Sequence, residues 1–416
     1  MSQRVTHVAE LAERLVRAGR AALVAESGAG RTRAALLAAE VRRTTAVLAI
    51  GKAAGAMAAG AVQAMGDGVR GLVVTKDAPA PGEGLPPGLR VLVAGHPRPD
   101  ERSAAATREA LALVGALEPG DDLLVLLSGG ASALVGGPID GVALAASAAL
   151  GDRLLAGGFP IEEINRVRRR LGAALGGRLA AATRARVRAL VLSDVASDDP
   201  RIVGSGPLSA PPLDDDVEAA RVAAAAGAAP ALIEAVRRAA PSPAELARCA
   251  DRVTLEVLAG PRALLAAAAR ALAAEGFAVV ADAGLAAGPV EALADRLVAI
   301  AEALPRGTAH AIVGEPTVRV LGAGRGGRAQ HLAALTARRI AALGDRALLA
   351  LASDGSDGPT DAAGAVIGAI DEARAGALAT AARAFDTHDA LAAAGALVRT
   401  GPTGTNLTDL YVVARA

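Results

Sequence analysis

The sequence predicts an α/β fold in two domains, the first built on a mostly parallel sheet. Three observations carry this. Short runs of β-forming residues repeatedly end in Gly, Ser or Asp and pass into alanine-rich helical segments, the rhythm of βα units. At 416 residues the chain exceeds one ordinary core. Between Pro207 and Pro243 it turns rich in Pro, Ala and Asp, which places a boundary near Ala240 and divides it into domains 1–240 and 241–416.

Taken in order, residues 1–26 carry Arg4, Glu10, Glu13, Arg14, Arg17 and Arg20 among apolar positions and read as an amphipathic helix, not an export signal. Residues 46–50 form a buried type of strand that runs into Gly51 and Lys52, with a helix over 53–65 behind it. A lysine at such a helix start either meets a phosphate beside unused N–H groups or is simply solvated. The spacer and following Ser/Thr of a P-loop are missing. Strands over 71–75 and 91–94 follow, the second leading to Gly95-His96-Pro97-Arg98-Pro99-Asp100. Residues 123–127 lead into Ser128-Gly129-Gly130-Ala131-Ser132, whose glycines let the backbone wrap an anion or make a tight turn. Residues 187–192 end in Ser193-Asp194-Val195-Ala196-Ser197-Asp198-Asp199-Pro200, with Gly204-Ser205-Gly206-Pro207 beyond. Asp214, Asp215 and Asp216 open a helix, since acidic residues suit a helix N-terminus.

The second domain starts with a strand over 253–258, a helix over 262–274 and a strand over 278–281. A hairpin is expected over 310–314 and 317–321, and Gly322-Ala323-Gly324-Arg325-Gly326-Gly327-Arg328 then follows a strand and opens a helix. This stretch satisfies G-x-G-x-x-G, and Arg325 and Arg328 suit an anionic ligand. The acid that would hold a dinucleotide ribose about twenty residues on is missing. The next strand, 347–352, leads instead to Asp354, 27 residues after Gly327. That exit is a second acidic loop, Ser353-Asp354-Gly355-Ser356-Asp357-Gly358-Pro359-Thr360-Asp361, and a last strand runs over 407–413. In open α/β sheets ligands bind beyond the carboxyl ends of the strands, so these exits are where chemistry is expected. Carboxylates with hydroxyls there suit Mg²⁺ or act as a base for a substrate hydroxyl, while ordinary turn chemistry explains one such loop more easily than two.

Composition narrows the function. A net charge of +1, from 44 basic and 43 acidic residues, gives no footprint for nucleic acid. The aromatic residues are Phe159, Phe277, Phe385 and Tyr411, too few for base stacking. The single Cys249 suits a reducing compartment, so a cytoplasmic location is expected. The longest charge-free apolar run, 123–139, is broken by glycines and Pro138, unlike a membrane span. Lys52 and Lys76 are the only lysines against 42 arginines, a bias that singles out either one as chemically needed or as a chance survivor. His7, His310, His331 and His388 lack metal-ligand spacing, and with His96 are read as structural. No Ser/His/Asp order or nucleophile elbow supports hydrolysis.

Together the segments resemble the type II glycerate 2-kinases, whose C-terminal part is the MOFRL domain. The carrying stretches are Gly51-Lys52, Val74-Thr75-Lys76, Gly95-His96-Pro97-Arg98-Pro99-Asp100, Ser128-Gly129-Gly130-Ala131-Ser132, Asn165-Arg166-Val167-Arg168, Ser193-Asp194-Val195, Gly204-Ser205-Gly206-Pro207, Gly314-Glu315-Pro316-Thr317, Gly326-Gly327-Arg328, the Asp354 to Asp361 loop and the 400–406 loop, in family order. The resemblance implies a Rossmann-like three-layer N-terminal domain, a smaller C-terminal α/β domain, and an interdomain cleft in which ATP and Mg²⁺ serve phosphorylation of the 2-hydroxyl of D-glycerate. It implies Lys52, Arg325 and Asp194 as catalytic residues. Ser128, Gly129, Gly130, Asn165, Arg168, Glu315 and Arg328 would bind substrate and phosphate, and Asp354 and Asp357 the metal. Partners are a small hydroxy acid and a nucleotide, with no membrane or nucleic acid; a homodimer is allowed but not specified.

Departures cluster in two segments. Arg170, Gly172 and Leu175 stand where the family has His, Ser and Lys, and Ala329 and His331 where it has Asn and Glu. If these flank the acceptor, they predict a hydroxy acid larger or differently charged than D-glycerate. Two other readings stand beside the kinase: a hydroxypyruvate reductase resting on the G-x-G-x-x-G pattern, and an inactive homologue acting in binding.

Overall fold

A computed structural model describes residues 2–41, 43–78, 85–319, 322 and 324–416. Two compact units emerge, one of residues Gly28–Leu258 and one of Met1–Ser27 with Ala259–Ala416. The division thus falls at Leu258, not near Ala240, because the strand Val253–Ala259 joins the first sheet. The first helix, Ser2–Ala25, goes with the second unit. It lays Leu11, Leu15 and Ala22 into that core. A Cβ on its Gly19 would come within 2.8 Å of Leu349, and its Arg17 pairs with Glu275 at 2.9 Å.

In the first unit the strands are β1 (Ala46–Ile50), β2 (Gly71–Thr75), β3 (Leu89–Val93), β4 (Asp122–Leu127), β5 (Arg186–Leu192) and β6 (Val253–Ala259), in the order β3-β2-β1-β4-β5-β6. The first five pair in parallel. This is the order of doubly wound dinucleotide-binding sheets, in which the direction of winding reverses between β1 and β4. Leu48, Ile50, Val125 and Leu127 are buried with their neighbours of opposite face, Val47, Ala49, Leu124 and Leu126, so both faces are covered as a parallel sheet requires. A separate helical core forms around Leu154, Ile164, Val167 and Val222.

The second unit is a mixed sheet of β7 (Ala278–Ala286), β8 (Thr308–Gly314), β9 (Arg346–Leu351), β10 (Gly364–Ile367), β11 (Leu397–Val398) and β12 (Asp409–Arg415), ordered β11-β10-β9-β12-β8-β7. Only β7 and β8 pair in parallel. β12 enters antiparallel between β8 and β9. The first arm of the expected hairpin is present; of the second, Thr317 makes an isolated parallel bridge to Pro289, and residues 320 and 321 lie outside the described residues, as does Ala323 of the glycine loop. Among the described residues no helix is long and apolar enough to cross a membrane.

Candidate active site

The exits of β1 and β4 form one structure. Gly51 donates its N–H to Val74 O at 3.1 Å and Lys52 its backbone N–H to Gly129 O at 3.0 Å. Ser128 is wholly buried, with its N–H on Ile50 O, while its Oγ accepts the Ala53 N–H at the start of the helix Ala54–Met65. Gly51, at φ +134°, has no room for a side chain beside Ser128. Gly130 sits at φ +86°, and a Cβ there would lie 3.0 Å from Lys52 Cγ and 3.2 Å from both Cδ2 and Nε2 of His96. The lysine stem and the imidazole therefore lie together over a glycine that a side chain would displace. His96, read as structural, is brought beside Lys52; its signal was a histidine three residues past the end of β3, in a turn next to the capping box of Asp100 and Ser103.

Asn165 is linked to the loop after β4 through Ser205 and Ser132. Ser132 Oγ and Ser205 Oγ lie 2.7 Å apart, and Ser205 donates to Asn165 Oδ1 at 3.2 Å. Asn165 and Arg168 are one turn apart on the helix Ile161–Leu171. Burial alone lowers the Arg168 pKa from the usual guanidinium range. Asp194 follows β5, beside the turn in which Ser193 Oγ accepts the Val195 N–H.

In the second unit the glycine loop packs closely against the chain itself. The helix Arg328–Leu343 begins at Gly327, and its first N–H groups are taken by a carboxylate of the chain itself. Ala329 donates to Asp357 Oδ1 at 3.0 Å and Gln330 to Oδ2 at 2.8 Å, with Gln330 Nε2 adding a third bond at 3.0 Å. Gly326 and Gly327 are glycines because Thr387 and Asp357 pack where their side chains would be. Asp357, expected as a metal ligand, is 3% exposed and caps a helix with both carboxylate oxygens. Asp354 is half-buried, its Oδ1 accepting from Ser356 N–H. Among the described residues no group of three or more His, Cys, Asp or Glu is placed to hold a metal.

Arg328 is held by partners of its own unit. Its Nε donates to Asp409 at 2.7 Å and its Nη1 to Pro316 O at 3.2 Å, with Glu315 Oε2 at 3.5 Å. Burial works against its charge, but Asp409 and Glu315 outweigh it and raise its pKa. Tyr411 completes the cluster by donating to Asp409 at 3.1 Å. Arg325 differs: its guanidinium is 52% exposed, with Asp389 at 3.9 Å, and its backbone is held by Asp386 and His388.

Burial, followed by the charge of Asp409, pushes Asp357 up to about 7 against the pull of the helix N–H groups. A pKa raised on folding stabilises fully below the unfolded value and is lost as pH rises through the folded one. Wild-type stability should therefore fall relative to Asp357→Asn between about pH 4 and 7, by roughly 4 kcal/mol in all. Denaturant titrations of both proteins across that range check this; parallel curves would show that Asp357 folds in as its anion.

The departures do not line an acceptor site. Arg170 is 1% exposed and donates to the carbonyls of Val236 and Ala239 at 3.1 and 2.7 Å. Gly172 and Leu175 compensate each other, since a Cβ on Gly172 would sit 2.6 Å from Leu175 Cδ1. Ala329 is in the core, and the buried His331 stacks on Phe385 with ring centroids 4.7 Å apart. All five are packing positions, so the ground for a changed acceptor falls away.

Residues 7–240 match a family described as a domain of unknown function, DUF4147, and residues 308–409 match the MOFRL family. The chain is 34% identical to the D-glycerate 2-kinase of Thermotoga maritima, over 88% of this chain and 89% of that one. An Agrobacterium vitis protein that carries a hydroxypyruvate reductase name is 35% identical, over 88% of this chain and 98% of its own. The crystal structure of the glycerate kinase from Thermotoga maritima aligns with a TM-score of 0.79 and 29% identity, over 98% of this chain and 100% of that one.

Proposed function

The chain belongs to the type II glycerate 2-kinase (MOFRL) family, and from that premise we propose that it transfers a phosphoryl group from ATP to the 2-hydroxyl of D-glycerate or a closely related hydroxy acid. The carrying observation is Lys52, held between Gly51 and Gly130 at the point where the winding of the first sheet reverses. A compact ammonium there meets the negative charge of the transferring phosphoryl group. The acid's hydroxyl oxygen attacks phosphorus, the bond to ADP breaks, and the hydroxyl proton leaves to a carboxylate or water. Asp194 is the carboxylate offered for this by the first unit, while the exposed guanidinium of Arg325 suits an anion in the second unit. Such catalysis works by positioning and by charges already in place.

Asp354 fits a magnesium ion as a hard carboxylate at the exit of β9. Magnesium commonly takes one or two protein carboxylates and fills its shell with water and phosphate oxygens. The ion would neutralise charge on the nucleotide. Asp354→Asn is expected to raise the Mg²⁺ concentration needed for half-maximal rate about tenfold, in keeping with loss of a charged ligand. A magnesium titration unchanged from wild type would take Asp354 out of that role.

The reductase reading is disfavoured because Asp357 already places a carboxylate at the helix N-terminus that a pyrophosphate would need. ADP release with D-glycerate and with four- and five-carbon hydroxy acids, run beside NADH oxidation with hydroxypyruvate, tests the proposal. D-Glycerate-dependent ADP release with the highest kcat/KM is expected. NADH oxidation without ADP release would replace the kinase by the reductase.

A further inference from the structure

Ser205 occupies the middle of three consecutive left-handed residues: Gly204 at φ +61°, Ser205 at +60° and Gly206 at +60°. Glycine accepts this conformation without strain, but serine does not, and such strain persists only where the surroundings impose it. They do so here. Gly176 donates its N–H to Ser205 O at 3.1 Å and Gly177 to Gly206 O at 2.8 Å. A Cβ on Gly204 would come 2.7 Å from Ala131. A third glycine would fit this turn better than Ser205, so the side chain is retained for what its hydroxyl does.

That hydroxyl is 1% exposed and bridges two half-buried groups. Its one proton goes to Asn165 Oδ1. At 2.7 Å the contact with Ser132 is a hydrogen bond, so Ser132 must be its donor. The chain therefore runs in one direction, from Ser132 through Ser205 to Asn165. It uses the only proton of Ser132 and leaves that oxygen able only to accept. At the other end it fixes the amide with Oδ1 inward, so Asn165 Nδ2 faces outward as a donor. A hydroxyl can donate to one and accept from the other with a single oxygen.

We propose that Ser205 is a positioning residue that sets Ser132 as acceptor and Asn165 as donor for the hydroxyl of the acid substrate. The inference rests on the kinase reading above and deepens it. A hydroxy acid satisfies both ends, whereas a 2-oxo acid offers no proton to Ser132. Arg168, one turn beyond Asn165, is the cation for the carboxylate of the same ligand.

Ser205→Gly separates the hydroxyl from the fold, because glycine suits φ +60°. Its melting temperature should equal or exceed that of wild type. Its KM for D-glycerate should rise about tenfold, as expected for one lost hydrogen bond to a bound polar group, with KM for ATP unchanged. Ser132→Ala should raise KM for the acid similarly, and the double variant should lose little beyond Ser132→Ala alone, since both act through one chain. A Ser205→Gly enzyme with wild-type KM for the acid, or losses that multiply in the double variant, would overturn the inference while the kinase reading stands. Absence of turnover by the wild type with every hydroxy acid would overturn both.

Discussion

Lys52→Ala is expected to lower kcat by at least about 100-fold, the usual consequence of removing a charge already in place for the transition state. Its KM for the acid should change little, because the ammonium is used on the phosphoryl group. Lys52→Arg should not restore the rate. A guanidinium is planar and broad, and the room over Gly130 is shared with the imidazole of His96. That constraint also accounts for a lysine surviving in a chain that otherwise uses 42 arginines. Steady-state ADP release on variants shown to be folded checks both expectations. Near-normal turnover in Lys52→Ala would remove the residue from the chemistry.

The largest effect on stability should come from Arg328→Met. Asp409 is 4% exposed, and the guanidinium is the cation that it faces at 2.7 Å. Removing one partner of a buried pair leaves the other charge stranded, which costs about 3–5 kcal/mol. Replacing both by apolar residues of similar volume, Arg328→Met with Asp409→Leu, should recover only part of that loss, because the buried Tyr411 hydroxyl then loses its acceptor. Urea unfolding of the single and double variants decides the matter. A single variant as stable as wild type would return Arg328 to the binding role that its position in a glycine-rich loop first suggests.

Much of this was legible in the sequence because parallel strands buried on both faces announce themselves as continuous Val, Leu and Ile runs. β1 and β2 fall at the expected residues, and Gly51-Lys52 and Ser128-Gly129-Gly130 meet as strand exits should. Short strands in alanine-rich surroundings gave no such signal: β10 is four residues, Gly-Ala-Val-Ile, and β11 only two. The glycine loop misled for a physical reason. Glycine marks a close approach, but sequence does not say of what, and here Thr387 and Asp357 approach Gly326 and Gly327. The departures misled similarly, since nearness to a motif along the chain says nothing of direction, and Arg170 points to the carbonyls of residues 236–239. Ser205 was visible only as part of a Gly-Ser-Gly-Pro turn; its hydroxyl's two partners lie 73 and 40 residues away.

The position of β12 sets the order in which the molecule can be completed. It lies between β8 and β9, yet it leaves the ribosome after every other strand of its sheet. Until then β7–β8 and β9–β10–β11 are two separate ribbons with open inner edges, and the helix Ser2–Ala25 has no finished core to cover although it is made before all of them. The unit of residues 28–258, by contrast, has all its strands available as soon as β6 emerges. Nascent chains arrested soon after β6 should thus resist protease over the first unit while the leading helix is still cut, and protection of the second unit should appear in a single step once β12 is released.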